Sequence, residues 1–585
     1  MRIISLGLLS LYLAGAAFAG NEAVEKAAIG YGSPEQKIAM WIWSDKYIYR
    51  AGEQLTLKWT VKTNGDLYPY TLFAYRQNNQ NGKKFYLPGG TEAVTDAGGN
   101  TLAQGFQPAA LRDATKAELT KATIPDEPGM HTLVVQLRDY SGTRVLKTAY
   151  MKISVVTEQV RVSGSISANT TWVNTKSYLL NGIVTVKNGA TLTIEPGTVV
   201  EGAPGSAPPS ALIVTRDGKL MAEGSKSRPI IFTSAQKLGE RKRGDWGGLV
   251  MLGKAPINVG ANTSGNTNAA GTFFIEGLNA TDDGLYGGAD ANHSCGSLAY
   301  VRVEFAGAIL SPNNELNSFT FGGCGKGTSA HHLNATYGLD DMFEWFGGTM
   351  DAKYLVGGLG ADDYVDFQLG WTGRLQYGLF YQSPDAKGNR GIEGDNSEYN
   401  NAATPISNPT MYNLTFIGSG AVGFDEASSP GVFLRRGARA TINNTVVTNF
   451  FSGALEFTDA NTQAQVTAGN VTMNGFLAWN NSRGTNGENT LAGQITNAPS
   501  RAFADGTTAA GKAANFVIGN PMMLRPSEYS DPDFRGTFGS PIFRAGWVSA
   551  PDDGFFDQTA TFIGGIGDED WTEEWTNFLV ENDLV

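Results

Sequence analysis

Leu339-Asp340-Asp341-Met342-Phe343-Glu344-Trp345-Phe346-Gly347-Gly348 aligns with Ala361-Asp362-Asp363-Tyr364-Val365-Asp366-Phe367-Gln368-Leu369-Gly370 at an offset of 22 residues. One copy of such a unit cannot close a core, so each buries its apolar face only when neighbours stack on it. The repetition begins near residue 158. There Val184-Thr185-Val186-Lys187-Asn188-Gly189 leads to Thr191-Leu192-Thr193-Ile194-Glu195-Pro196-Gly197. A later copy runs Leu212-Ile213-Val214-Thr215-Arg216-Asp217-Gly218 to Lys219-Leu220-Met221-Ala222-Glu223-Gly224 and Pro229-Ile230-Ile231-Phe232. Strand, Asn/Asp-Gly turn, strand, Gly turn, strand is the order in both, and Gly202 to Ser210 is an insertion. This pattern predicts an all-β chain whose residues 158–550 form a long right-handed parallel β-helix. Roughly 15 coils at ~4.8 Å each would make a rod about 70 Å long.

Composition agrees, since 74 of 585 residues are Gly and only 17% are charged, unlike a helical bundle. The formal charge of -12 argues against nucleic acid or an anionic membrane surface as partner. Arg2, an apolar stretch to Ala17 and Ala17-Phe18-Ala19 have the form of a signal peptide over residues 1–19. Ser5, Ser10 and Gly15 interrupt a run already short for a membrane anchor. The expectation is an exported protein, extracellular, surface-bound or periplasmic, with no integral membrane segment after cleavage. Cys295 and Cys324 are the only cysteines, so an oxidising compartment predicts that they form a disulfide. The alternative is a zinc site drawing on His293, His331 and His332 with the two thiols.

Residues 20–36 read as a linker and 37–157 as a β-sandwich. Leu55, Leu57, Trp59 and Val61 share one parity of a half-buried strand, and Leu133, Val135 and Leu137 lead through the turn Asp139 to Gly142 into a strand from Val145 to Val156. Asp45 to Glu53 and Glu127 to Leu133 resemble strand and turn motifs of immunoglobulin-like and macroglobulin-like modules, which act as spacers or docking units. Trp571, Trp575, Phe578 and Leu579 fall at i, i+4, i+7 and i+8. That spacing predicts a short C-terminal helix within residues 551–585, capping the last coil.

Several segments resemble a set of secreted right-handed parallel β-helix proteins of Gram-negative bacteria. They are Gly244-Asp245-Trp246-Gly247-Gly248, Leu249 to Asn258, Tyr300 to Gly307, the 22-residue doublet, Gly391 to Asn396, Phe433 to Gly437, and Trp571 to Phe578. The resemblance spans most of residues 160–580. It implies fold and export, and it carries no catalytic motif to transfer.

Residues 339–398 hold eleven acids and four bases, a local charge of -7. Phe343 and Trp345 share parity with Val365 and Phe367 and should point inward. Asp340, Glu344, Asp362 and Asp366 then point outward, with acid stacked on acid, where repulsion reaches ~3 kcal/mol per pair at an effective dielectric of 20. A bound cation, Arg374 or Arg390, protonation, or plain solvation must offset it. Carboxylates beside carbonyl-rich Gly turns suit Ca²⁺, with Asp340, Glu344, Asp362 and Asp366 as the expected ligands.

Two functional classes compete. The first is a secreted or cell-surface scaffold that binds glycan or a surface protein without catalysis. The second is an extracellular polysaccharide lyase with Arg374 or Arg390 as base, or a glycosidase using a pair such as Glu344 and Asp366. Other chemistry is excluded. There is no Gly-x-Ser-x-Gly elbow. Gly322 to Thr328 lacks the Gly-Lys-Ser/Thr ending of a phosphate loop. His331 and His332, adjacent on a strand, cannot both face one site.

Overall fold

The computed structural model describes residues 37–580 except 64–67, 88–108, 112–113, 125, 140, 262–268, 279–281, 312–313, 383–384, 386–387, 421–428, 483–489, 507–511 and 545. The expected signal peptide and linker lie outside the described residues.

Twenty-three strands from Glu158–Ile166 to Lys512–Ile518 join in one parallel sheet that winds into a right-handed β-helix with three faces. On one face twelve segments stack in sequence. At ~4.8 Å per step the rod is about 50 Å long, shorter than the sequence predicted. The reason is the coil length. The 22-residue step holds for Glu344 to Asp366, but Leu249 pairs with Phe319 and Glu393 with Phe433 because long loops intervene. Inside runs one apolar core that includes Phe343, Trp345, Val365 and Phe367, all 0% exposed, as parity predicted. Cys295 and Cys324 are bonded to each other in that core, with Cα atoms 5.9 Å apart.

Many strands cover two faces by bending at a residue with positive φ. Tyr300, His332, Tyr354, Tyr377, Asn413 and Asn444 occupy successive positions along one corner. Left-handed backbone is costly for a residue with a Cβ. Here stacking offsets it: ring centroids are 4.3 Å apart for Tyr300 and His332, 4.3 Å for His332 and Tyr354, and 4.8 Å for Tyr354 and Tyr377. His331 and His332 belong to this corner rather than to a metal site with the cysteines.

The N-terminal β-sandwich pairs a sheet of Ala39–Trp43, Gln54–Lys62 and Ala114–Thr123 with a second sheet built on Tyr68–Asn78, Gly129–Asp139 and Val145–Val155. Leu55, Leu57, Trp59, Val61, Leu133, Val135 and Leu137 meet in its core.

The C-terminal segment departs from the expected capping helix. It runs back along the outside of the rod as a strap. Val548 N donates to Asn444 Oδ1 at 2.8 Å, Asp557 N to Gln376 Oε1 at 2.6 Å, and Asn577 N to Asn334 Oδ1 at 3.0 Å. Trp571 and Trp575 set their edges against the corner rings of His332, Tyr354 and Tyr300. The apolar spacing is there, but the amides that would extend a helix are diverted: Leu579 N donates to Asn577 Oδ1 and Val580 N to Ser530 Oγ. The last coils are covered instead by Ala498–Ala504, whose Phe503 packs edge-on against Phe457.

Strap, sandwich and rod meet at Glu304, 0% exposed. It accepts from Arg302 Nε at 2.9 Å, Thr233 Oγ1 at 2.9 Å and Asn577 Nδ2 at 3.1 Å. Arg241, 3.7 Å away, lies between the rings of Tyr47 and Phe305. The arginines hold the Glu304 carboxyl below its ordinary range against the upward pull of burial. Because Trp575 is fully buried where these parts meet, Trp575→Ala is expected to cost about 3–5 kcal/mol in chemical denaturation. A loss under about 1 kcal/mol would mean that the strap is only loosely applied.

Candidate metal centre

Strands Phe343–Phe346 and Val365–Gln368 pair in parallel, with Glu344 beside Asp366. Alternation turns their phenyl and indole rings inward and these carboxylates outward. The carboxylates are nevertheless buried, Glu344 at 4% exposure and Asp366 at 9%. Of the ways to offset the stacked acids, plain solvation is thereby removed for this pair. Between Gly248–Leu252 and Gly296–Glu304 the described residues 253–261, 269–278 and 282–295 fold over this face as a roof. Ile257, Val259, Ile275 and Tyr286 of the roof pack on the outward residues Ala211, Ile213, Val250, Leu252 and Phe346.

Along this row of coils carboxylates gather in three overlapping groups, in each of which one oxygen from every residue lies within 4.8 Å of the others: Asp340, Asp341 and Asp362; Asp341, Glu344 and Asp366; Asp363, Asp366 and Glu393. Any of these buried groups can hold a metal ion. The expected four residues are thus divided, with Asp340 and Asp362 in one group and Glu344 and Asp366 in the next. The sequence reading did not assign ligand roles to Asp341 and Asp363, although both recur at the 22-residue offset. It also missed Glu276 and Glu315, which the roof and its neighbouring loop bring to the row. Nothing in their local sequence marks them, but Ala211-Leu212-Ile213-Val214 and Leu249-Val250-Met251-Leu252 are continuous apolar runs, the mark of strands buried on both faces.

The row is electrostatically uneven. Toward the C-terminal coils, Arg390 Nη1 lies 3.1 Å from Glu393 and 3.5 Å from Asp363, Arg435 Nε 2.7 Å from Asp395, and Arg436 Nη1 2.6 Å from Asp395. Arg374 is not on this face; it binds Asp351 and Asp553. Around Asp341 and Glu344 the hydrogen-bond partners are neutral donors: Gln368 Nε2 donates to Glu344 Oε1 at 2.8 Å, Asn317 Nδ2 to Glu344 Oε2 at 2.5 Å, and Asp363 N to Asp341 Oδ1 at 2.9 Å. Burial, then neighbouring carboxylates, push Asp340, Asp341, Glu344 and Asp366 well above the ordinary range. Burial first, then Asp340, raises Asp362 to about 7; burial, then Asp363, raises Glu393 to about 8; burial, then Glu315, raises Glu276 to about 8.

Residues 164–519 match the family described as pectate-lyase like beta helix domain. A stacked coil of this kind defines a parallel β-helix protein. With more than half of its length matched, the chain belongs to the pectate-lyase-like β-helix family. Among solved structures it is similar to a family 28 exopolygalacturonase of Yersinia enterocolitica, at 9% identity over 75% of this chain and 91% of that one, with a TM-score of 0.17. No curated protein matches.

With no cation present, the folded state binds more protons than the unfolded chain between the ordinary carboxyl range near 4 and the raised values of about 7 to 8. Stability in chelator is therefore full below that window and falls as pH rises through it. The melting temperature in EDTA is expected to drop from pH 5 to pH 8, and Asp362→Asn to flatten the slope. A melting temperature that rises over the same interval would show that the row is ionised and paired.

Proposed function

We propose that the protein is an exported β-helix scaffold that binds glycan or surface components along its rod and does not cleave them. Calcium is the cofactor proposed for the acidic row. The observation that carries the reading is the roof. Residues 339–398, the chain's most acid-rich stretch, would have to admit a polymer to work on it, and Glu344 and Asp366 are buried beside the apolar packing of the roof on Phe346. The disulfide and the family's fold support export and a glycan partner.

A second reading, a polysaccharide lyase or glycosidase, draws support from the pectate-lyase-like type of the domain. Neighbouring rungs place Glu344 and Asp366 near the ~5 Å separation of a retaining pair. Against it, Arg390, the candidate lyase base, is held by two carboxylates.

The test is incubation of the purified protein with acidic and neutral polysaccharides, with and without Ca²⁺, followed by assays for retention and for new chain ends. Binding to at least one polymer without new ends is the expected outcome. Unsaturated or reducing ends accumulating over many turnovers would replace the scaffold by the enzyme, and no binding across the panel would remove the glycan partner.

A further inference from the structure

Resting on the calcium reading above, we propose that a single divalent cation, coordinated by Asp341, Glu344 and Asp366, is the latch that holds the roof on the coils. These three differ from the ligand set expected from sequence. They come from two adjacent rungs and the turn before one of them, and the register brings one oxygen of each within 4.8 Å of the others.

Four observations select this group. First, no salt bridge joins Asp341, Glu344 or Asp366 to a base among the described residues: the row's arginines pair with Asp363, Glu393 and Asp395, and Arg435 reaches Asp366 only as a longer-range charge. The group around Asp363 and Glu393 already has its positive charge.

Second, Asp366 is 91% buried by the exposure just given, and its Oδ1 has no hydrogen-bond partner. An unpartnered carboxylate oxygen buried among two other carboxylates is costly unless a cation meets it.

Third, a residue outside the acid cluster leaves a second polar atom open at the same place. Tyr286, on the roof, is fully buried and its hydroxyl has no partner. Its ring packs against Phe346, which shares the outward side of its strand with Glu344. It lies so close over Gly322 that a Cβ there would sit 3.0 Å from the Tyr286 ring. Glu344 and Glu276 are among the principal charges acting on that hydroxyl. Hard cations complete an oxygen shell with water, and Tyr286 is placed to hold such a water.

Fourth, the roof presents its own acid to the row. Glu276 faces Glu315, Asp340 and Glu344, which act on one another as like charges. The opposite end of the roof is held by apolar contacts and by Asn258, whose Nδ2 donates to Asn396 Oδ1 at 2.8 Å and to Pro405 O at 3.0 Å. Without a cation this end meets only other carboxyls, charged or protonated, so the roof should loosen from Glu276 rather than from Asn258.

Full-length protein, stripped with chelator and dialysed, is titrated with Ca²⁺ or Mg²⁺ by calorimetry and read by hydrogen exchange. The expected result is one Ca²⁺ per chain, weaker binding of Mg²⁺, and at least tenfold faster exchange of residues 271–278 and 282–287 in chelator, with exchange around Asn258 and in the N-terminal sandwich unchanged. Asp366→Asn and Glu344→Gln should each lower affinity at least tenfold. Tyr286→Phe should lower it by less, and Asp395→Asn should leave it unchanged. Circular dichroism identifies any variant that fails to fold, and the exchange comparison on wild type does not depend on the variants. Absence of bound Ca²⁺, or one bound ion with equal roof exchange in Ca²⁺ and chelator, overturns the latch. Polysaccharide retention measured on the same samples separates the two readings: retention with no ion bound sinks the latch alone, and an ion bound with no retention sinks the glycan scaffold alone.

Discussion

Everything in this molecule depends on the backbone hydrogen bonds between parallel rungs. They force a residue on one coil to lie beside its register partner on the next, at a spacing that no side chain can negotiate. Where the partners are Phe343 over Phe319 or Trp345 over Phe321, the constraint produces rings stacked 5.1 and 5.6 Å apart inside the rod. At the corner it lines up Tyr300, His332, Tyr354 and Tyr377 and so offsets the cost of their left-handed backbone. Applied to Glu344 and Asp366, the same register brings like charges together, and the rest of the chain has to accommodate them.

That accommodation is asymmetric. Arg390, Arg435 and Arg436 reach the carboxylates of the later coils, whereas Asp341 and Glu344 are met by amides and covered by the roof. Burial strengthens each remaining electrostatic interaction and raises the cost of leaving any of them unbalanced. Protonation and cation binding are the two ways to balance a buried row of this kind, and they respond oppositely to pH. A hydrophobic lid over a charged row is a poor entrance for a polymer and a good enclosure for an ion.

The strap is the second addition that turns a simple stack into one body. Its two tryptophans cover the corner rings, Asn577 reaches Asn334 and Glu304, and Leu579 packs with the core of the N-terminal sandwich. Glu304 stays ionised in a fully buried position because Arg302 and Arg241 accompany it, an arrangement that ties the orientation of the sandwich to that of the rod.

By itself the sequence determined the local order and its consequences: the strand and turn alternation that makes a β-helix, the inward parity of Phe343, Trp345, Val365 and Phe367, the Glu344 and Asp366 register, and the pairing of the two cysteines. Each follows from short-range periodicity, which a sequence displays directly. The number of coils was less legible, because loops between rungs lengthen the chain without lengthening the rod. Only the tertiary structure decided that Glu276 and Glu315 join the acidic row, that Tyr286 packs on Phe346, and that Trp571 and Trp575 lie along the rod's side rather than at its end. Those contacts join residues tens to hundreds of positions apart. Their partners are selected by which exposed apolar strip or unpaired polar atom remains once the coils have stacked, and a surface formed by many coils is visible in none of their sequences taken singly.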